Sequence, residues 1–247
     1  MKVSVITATY NRAATIVRAL SSIKNQTYGD IQIVVVDGAS QDNTISLISP
    51  MLSHNDILQS EPDDGIYDAL NKGLALAEGE IIAFLHSDDL YFDDHVISMV
   101  AEIFSDNSVD VVYGDACFFS RNDVKKIKRR YRSSKLSKGN LAWGKMPAHP
   151  AIFIRRRIYQ KIGNFDIRYH IAADYEFLCR LVHHVGLKTV YLSRVFVLMQ
   201  LGGVSTGGFR STILLNKEVL TAITNNNIYT NLFMLLSKYP AKFMQFI

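Results

Sequence analysis

Two carboxylates stand side by side at Asp88 and Asp89, behind Ser87 and the apolar run Ile81 to Leu85. Adjacent carboxylates repel unless a cation or solvent intervenes, and hard oxygen ligands suit Mg²⁺ or Mn²⁺. The alternative is a solvated turn, with Asp93 and Asp94 capping the helix that follows. Asp37 closes another apolar run, Ile31 to Val36, and Asp63, Asp64 and Asp68 gather at a predicted helix start. A helix N-terminus welcomes one carboxylate as a cap, which accounts for part of that group.

Several common chemistries are missing. The first glycine is Gly29, so the first strand-to-helix turn is no G-x-G-x-x-G loop and a dehydrogenase is disfavoured. There is no G-x-x-x-x-G-K-[ST] phosphate loop, no G-x-S-x-G and no H-E-x-x-H. A site without a glycine cradle must neutralise a diphosphate in another way, and a bound divalent metal would do so.

The elements that must position these residues follow a β-α rhythm. Strands are predicted at Val3–Thr7, Ile31–Val36, Ile57–Leu58, Ile81–Leu85 and Val109–Tyr113. Helices are predicted around Ile16–Ile23, over Ser40–Leu52 with Ser40 or Asp42 as cap, over Ile66–Ala77, and at Val96–Phe104. This alternation argues an α/β fold with a doubly wound, mainly parallel sheet flanked by helices, whose ligands collect beyond the carboxyl ends of the strands. Further along, Lys125–Arg132 reads as a basic strand, Ser133–Pro147 as a loop, and Ala151–Ile154 as a strand. Asp174–Val185 reads as a helix with Phe177, Leu178, Leu181, Val182 and Val185 inward, and Val190–Leu201 as extended chain. Gly202, Gly203, Gly207 and Gly208 suggest a mobile loop.

The 247 residues, 48% hydrophobic and 20% charged, suit a folded chain of one large domain or two small ones, with a sizeable core either way. Cys117 and Cys179 form neither a disulfide framework nor a zinc site, which suits a reducing compartment. No signal peptide and no run of ~18 apolar residues is found, so a cytoplasmic protein is expected. The expected organisation is one domain over residues 1–227, with a nucleotide half at 1–115 and an acceptor half at 116–227, followed by a tail at 228–247.

Four segments in order resemble the signatures of family 2 glycosyltransferases with the GT-A fold: Thr7-Ala8-Thr9-Tyr10-Asn11-Arg12, Val34-Val35-Val36-Asp37-Gly38-Ala39-Ser40, Glu61 through Gly73, and Phe84-Leu85-His86-Ser87-Asp88-Asp89. The likeness is greatest to bacterial polysaccharide-assembly members of the colanic-acid and O-antigen type. It is dense over residues 1–115 and sparse over 147–200. The resemblance implies that Thr7 and Tyr10 flank a uracil, that Asp37 accepts from base or ribose, and that Asp68 and Lys72 contact the nucleotide. Lys72 could equally be a solvated helix charge. Asp88 would contact ribose or the metal-bound shell, and Asp89 would coordinate Mn²⁺ or Mg²⁺. Ala172-Ala173-Asp174-Tyr175-Glu176 falls where the family carries a Glu-Asp pair whose Asp is the general base. Ala173 replaces the Glu, so only Asp174 carries over as the catalytic residue. The Gln-x-x-Arg-Trp motif of processive synthases is absent, and Gln200-Leu201-Gly202-Gly203-Val204 stands in its place.

The implied reaction is a single inverting displacement from a nucleotide-sugar donor to a glycan or polyprenyl-diphosphate-linked acceptor. Asp174 would be the base, unless it is only a helix cap. His170 is a rival base, His149 could line the acceptor pocket, and His86 is a packing or hydrogen-bonding residue. Competing readings are a sugar-1-phosphate nucleotidyltransferase, which would want a glycine-rich first loop, and a non-catalytic nucleotide-sugar-binding module. The eight Lys and Arg residues in 125–138 suit either a charged, solvated edge strand or contact with anionic headgroups. Nucleic acid is not expected, since no binding motif accompanies the charge. In the tail, Ile228, Leu232, Leu235, Leu236, Tyr239, Phe243 and Phe246 follow helical spacing, interrupted by Pro240. Peripheral docking on the cytoplasmic face of the inner membrane is one expectation for this segment, and packing on the domain or a homodimer contact is the other.

Overall fold

The structure is a computed structural model and describes residues 1–120, 123–202 and 208–237. In chain order its elements are β1 (Val3–Thr9), α1 (Ile16–Lys24), β2 (Ile31–Asp37), α2 (Thr44–Ile48), β3 (Ile57–Ser60), α3 (Ile66–Leu76), β4 (Ile81–Phe84), β5 (Leu90–Tyr91) and α4 (Val96–Phe104). Then come β6 (Val111–Ser120), β7 (Asp123–Tyr131), α5 (Lys138–Ala142), β8 (Ile152–Arg155), α6 (Arg156–Ile162), α7 (Ala173–Leu181), β9 (Thr189–Gln200), α8 (Phe209–Asn225) and α9 (Leu232–Leu236).

The strands form one sheet in the order β3-β2-β1-β4-β8-β6-β9-β5, with β7 paired to β6. β3, β2, β1 and β4 are mutually parallel, as right-handed β-α-β crossovers produce. β8 is antiparallel to both β4 and β6, while β6 and β9 run parallel. Inserting β8 brings the acidic turn after β4 and the carboxyl-terminal part of β9 into one neighbourhood. Alternation along β1 serves both faces. Val3 and Val5 pack with Ile16, Leu20 and Ile23 of α1 and Val96 and Val100 of α4. Ile6 and Ala8 pack with Leu70 and Leu74 of α3 and Phe177 and Leu178 of α7. The second cluster contains residues from Ile6 to Leu235, so the amino- and carboxyl-terminal parts of the chain share it.

α3 lies very close to β1. A Cβ at Gly73 would come within 2.3 Å of Ile6 Cγ2, so only glycine permits this approach.

The predicted elements differ from the observed ones where capping or tertiary packing decides. The helix expected over Ser40–Leu52 shrinks to α2 and a 3₁₀ turn at Ser49–Met51. Ser40 is drawn away from capping by Asp37, whose carboxylate accepts from the Ser40 amide and hydroxyl. The expected loop at 133–147 contains α5, where the Ser137 hydroxyl accepts from the Asn140 amide. The helix expected to reach Val185 ends at Leu181, and Val185, expected inward, is 93% exposed. The predicted Gly203 and Gly207, and the tail from Lys238 through Pro240 to Ile247, lie outside the described residues.

Candidate active site

The carboxyl ends of β1 and β2 are knitted together by side chains. Asp37 is fully buried and also accepts from the Ser60 hydroxyl at 2.7 Å, so its charge is held at the seam of β2 and β3. The turns beyond need left-handed backbone at Asn11 (φ 50°) and Ala39 (φ 60°). Asn11 compensates by donating its amide to Ser40 Oγ and accepting from Gln41 N, each at 2.8 Å. A Cβ at Gly38 would meet Asp63 Oδ2 at 2.5 Å and Tyr10 at 3.5 Å, so Tyr10, Gly38 and Asp63 converge on one spot. Tyr10 is exposed there and offers a free aromatic face. Thr7 is fully enclosed with its hydroxyl unpartnered, and Thr9 is buried likewise. Thr7 therefore underlies this corner without forming its surface. Lys72 bonds Glu61 at 3.0 Å, Asp68 at 3.1 Å and the Pro62 carbonyl at 2.8 Å, tying α3 to the loop before it. Asp68 also accepts from the Asp64 amide.

Asp89 is buried beside the half-buried Asp88. Burial, and then the neighbouring Asp88 charge, push its carboxyl well above the usual carboxylate range. Two groups oppose this. The Gln200 amide donates to Asp89 Oδ1 at 3.0 Å, and the Arg18 guanidinium lies near enough to favour the charge. Arg18 is itself held by Gln200 Oε1 at 3.2 Å and by the Phe119 ring, 5.2 Å away. A buried carboxylate raised by a second carboxylate is a donor set that a hard divalent cation would relieve. Among the described residues no group of three or more His, Cys, Asp or Glu could enclose a metal. Asp89 and Asp88 fit a cation only if donor oxygens and water complete its shell, as Mg²⁺ and Mn²⁺ sites on phosphates permit.

Asp174 sits in the first turn of α7, whose N-cap is Ala172, so it is not the cap. Its carboxyl is raised, first by burial, against the Tyr175 amide at 2.8 Å and the Tyr67 hydroxyl at 3.1 Å. Ala173, where a Glu was expected from the resemblance, is fully buried in the core. Glu218 of α8 braces the chain just ahead of α7. Its two oxygens accept from the His170, Ile171 and Ala172 amides, each at 2.9 Å. His170 is exposed and faces Asp64–Asp68 across a small cleft, with Ile167 and Tyr169 beside it.

Between the two acidic ends lie His86 and His149. His149 stacks on Phe84 at 5.0 Å and meets the Phe165 edge at 5.6 Å, and the His86 ring is 5.8 Å from it. Asn71 fixes Phe165 by bonding both its amide and its carbonyl. Burial lowers both imidazoles to about 4, so they are neutral at physiological pH. His86 feels the charges of both Asp88 and Asp174. The acidic pair and the candidate base therefore act on the same imidazole.

The sequence assigned no role to Arg18, Tyr67 or Glu218. Arg18 faces Gln200, 182 positions away, and Glu218 lies 46 to 48 positions beyond the amides it holds. No local spacing signals such partners. Tyr67 alone had a signal, its place beside Asp68 in the third segment.

A family model described as Glycosyl transferase family 2 matches residues 4–163. A "PGL/p-HBAD biosynthesis glycosyltransferase" of Mycobacterium bovis is 33% identical over 222 residues, 88% of this chain and 82% of that protein. Among solved structures, Staphylococcus aureus TarS 1–349 in complex with UDP-GlcNAc superposes with a TM-score of 0.69 at 20% identity, over 93% of this chain and 68% of that one. The match spans only 41% of the longer TarS structure. The mannosyltransferase PcManGT of Pyrobaculum calidifontis, in complex with GDP-Man and Mn²⁺, gives a TM-score of 0.65 at 22% identity, over 91% and 63% of the two chains.

Proposed function

Because the chain belongs to glycosyl transferase family 2 and has the GT-A fold, we propose that it moves a sugar, with inversion, from a UDP-sugar to a hydroxyl of a glycan or polyprenyl-diphosphate-linked acceptor on the cytoplasmic side of a membrane. What supports this reading is the His86 ring, next in sequence to the Ser87-Asp88-Asp89 turn and packed 5.8 Å from His149, with both Asp88 and Asp174 near enough to act on it. One site thus has a diphosphate end and a proton-accepting end. Tyr10 and Asp68 border the corner that takes the nucleotide, with Thr7 and Asp37 beneath it and Lys72 bracing α3.

Asp174 takes the acceptor proton as that oxygen bonds to the anomeric carbon and the bond from carbon to diphosphate oxygen breaks. Its raised pKa makes it a stronger base than an exposed aspartate. Tyr67 orients the carboxylate. The neutral His86 and His149, with Phe84 and Phe165, add no charge of their own between the two acidic ends. Asp89, with Asp88, would hold Mn²⁺ or Mg²⁺, which when bound neutralises the leaving diphosphate. TarS 1–349 in its UDP-GlcNAc complex and PcManGT with GDP-Man and Mn²⁺ support donor class and metal by analogy of fold.

The experiment is a panel of UDP-, GDP- and dTDP-sugars, read as nucleotide release with and without glycan acceptor. Acceptor-dependent release of UDP is expected. Pyrophosphate-dependent formation of sugar-1-phosphate would make the protein a nucleotidyltransferase, and tight binding without release would make it a binding module.

A further inference from the structure

We propose that the rim formed by α5 and the Tyr229–Leu236 segment docks on an anionic lipid bilayer. The segment is fastened to the domain from within. Ile228 and Leu235 are buried, and the Thr230 hydroxyl donates to the Ala142 carbonyl at 2.6 Å. What it turns outward is apolar: Tyr229 is 79% exposed, Leu232 62%, Phe233 77% and Leu236 50%. Anchoring by Leu235 leaves these four side chains without a packing role, and clustered exposed apolar groups of this size mark an interaction surface. Trp143, exposed just past α5, extends the patch with a residue suited to the headgroup layer.

Charge selects the occupant. Residues 133–147, which include α5, and residues 219–247 contain no Asp or Glu. Lys135, Lys138 and Lys145 are exposed on or beside α5. Basic groups near an anionic bilayer are attracted to it, and the attraction is screened by salt. A second copy on this face would bring like-charged lysines together across a two-fold axis, which a lipid surface does not. No helix among the described residues is long and apolar enough to cross a membrane, so the surface lies on the interface and does not span it.

The rim also adjoins the site. Tyr175, the neighbour of Asp174, donates its hydroxyl to the Leu141 carbonyl of α5. Docking there would present the Asp174 side to the bilayer, where a lipid-linked acceptor lies. This deepens the acceptor half of the proposed function and rests on it, but the docking is measurable without turnover.

The test is flotation of the full chain with phosphatidylcholine vesicles, with and without phosphatidylglycerol, at low and high salt. Binding to the anionic vesicles is expected, weakened by salt. Leu232→Ser with Phe233→Ser, and separately Lys138→Glu with Lys145→Glu, should each lower it by about tenfold or more, with UDP affinity unchanged. Wild-type protein that ignores anionic vesicles overturns the proposal, and so do variants that float like wild type. Sedimentation showing a wild-type dimer that the Leu232→Ser, Phe233→Ser variant converts to monomer also overturns it, in favour of a second copy. If the serine variant misfolds, the lysine variant carries the test alone.

Discussion

At the scale of single residues, the site is a set of carboxylates held where water would not leave them unaided. Asp89 has its folded pKa raised above the unfolded value. The native state therefore holds an extra proton between those two values, and metal-free stability falls as pH rises through that window. Asp89→Asn keeps an acceptor for the Gln200 amide and removes the buried charge, so it should raise the melting temperature of metal-free protein at neutral pH by a few degrees. The same substitution should abolish Mn²⁺ binding, followed by calorimetry and by the manganese paramagnetic signal. An unchanged melting temperature with retained Mn²⁺ binding would remove Asp89 from the metal role. Asp174 is also raised. The acid limb of the pH–rate profile should lie above the ordinary carboxylate range, with activity lost as pH falls through the raised value. His86 and His149 stay neutral above about 4 and should add no inflection near pH 6.5. The acidic residues were legible in the sequence because each stands at a strand or helix end. Arg18 and Glu218 were not, because their partners are brought near only by the fold.

At the scale of elements, the candidate base Asp174 sits on a helix whose lead-in is braced from elsewhere. α7 has no side-chain cap of its own, and Glu218 of α8 satisfies three amides ahead of it. Glu218→Gln leaves one acceptor oxygen for three donors and should cost roughly 1–3 kcal/mol in denaturant unfolding. It should also lower kcat while leaving UDP affinity within a few-fold, because the displaced turn carries Asp174 but not Tyr10 or Asp37. Equal loss of nucleotide affinity would mean that α8 supports the whole fold and not this turn. Gly73→Ala should destabilise by about 1–3 kcal/mol through the overpacked contact with Ile6. The parallel strands and α1, α3 and α4 were readable, since Ile16, Leu20, Ile23, Leu70, Leu74, Val96 and Val100 are buried as their spacing requires, although Ile66 at the start of α3 is exposed. α2 was overextended because Asp37 competes for Ser40, and the end of α7 was missed because Val185 is apolar yet exposed. Burial of that kind depends on what lies opposite, which spacing along one element does not report.

At the scale of the molecule, the order of the sheet makes the site. The parallel strands β3-β2-β1-β4 build the side proposed to take the nucleotide, and antiparallel β8 joins them to β6 and β9, which return Gln200 to Asp89. The parallel part was foreseen from the β-α rhythm, whereas strand direction across β4, β8 and β6 is a non-local property that the apolar run Ile152–Ile154 does not disclose. The central claim is that the diphosphate end and Asp174 act in one reaction. It is tested most directly by comparing wild type and Asp174→Asn in two readouts on the same preparation: calorimetric affinity for UDP with Mn²⁺, and the rate of acceptor-dependent sugar transfer. Affinity within a few-fold of wild type and a kcat lower by roughly 10²–10⁴ are expected. Transfer by Asp174→Asn at the wild-type rate would contradict the claim.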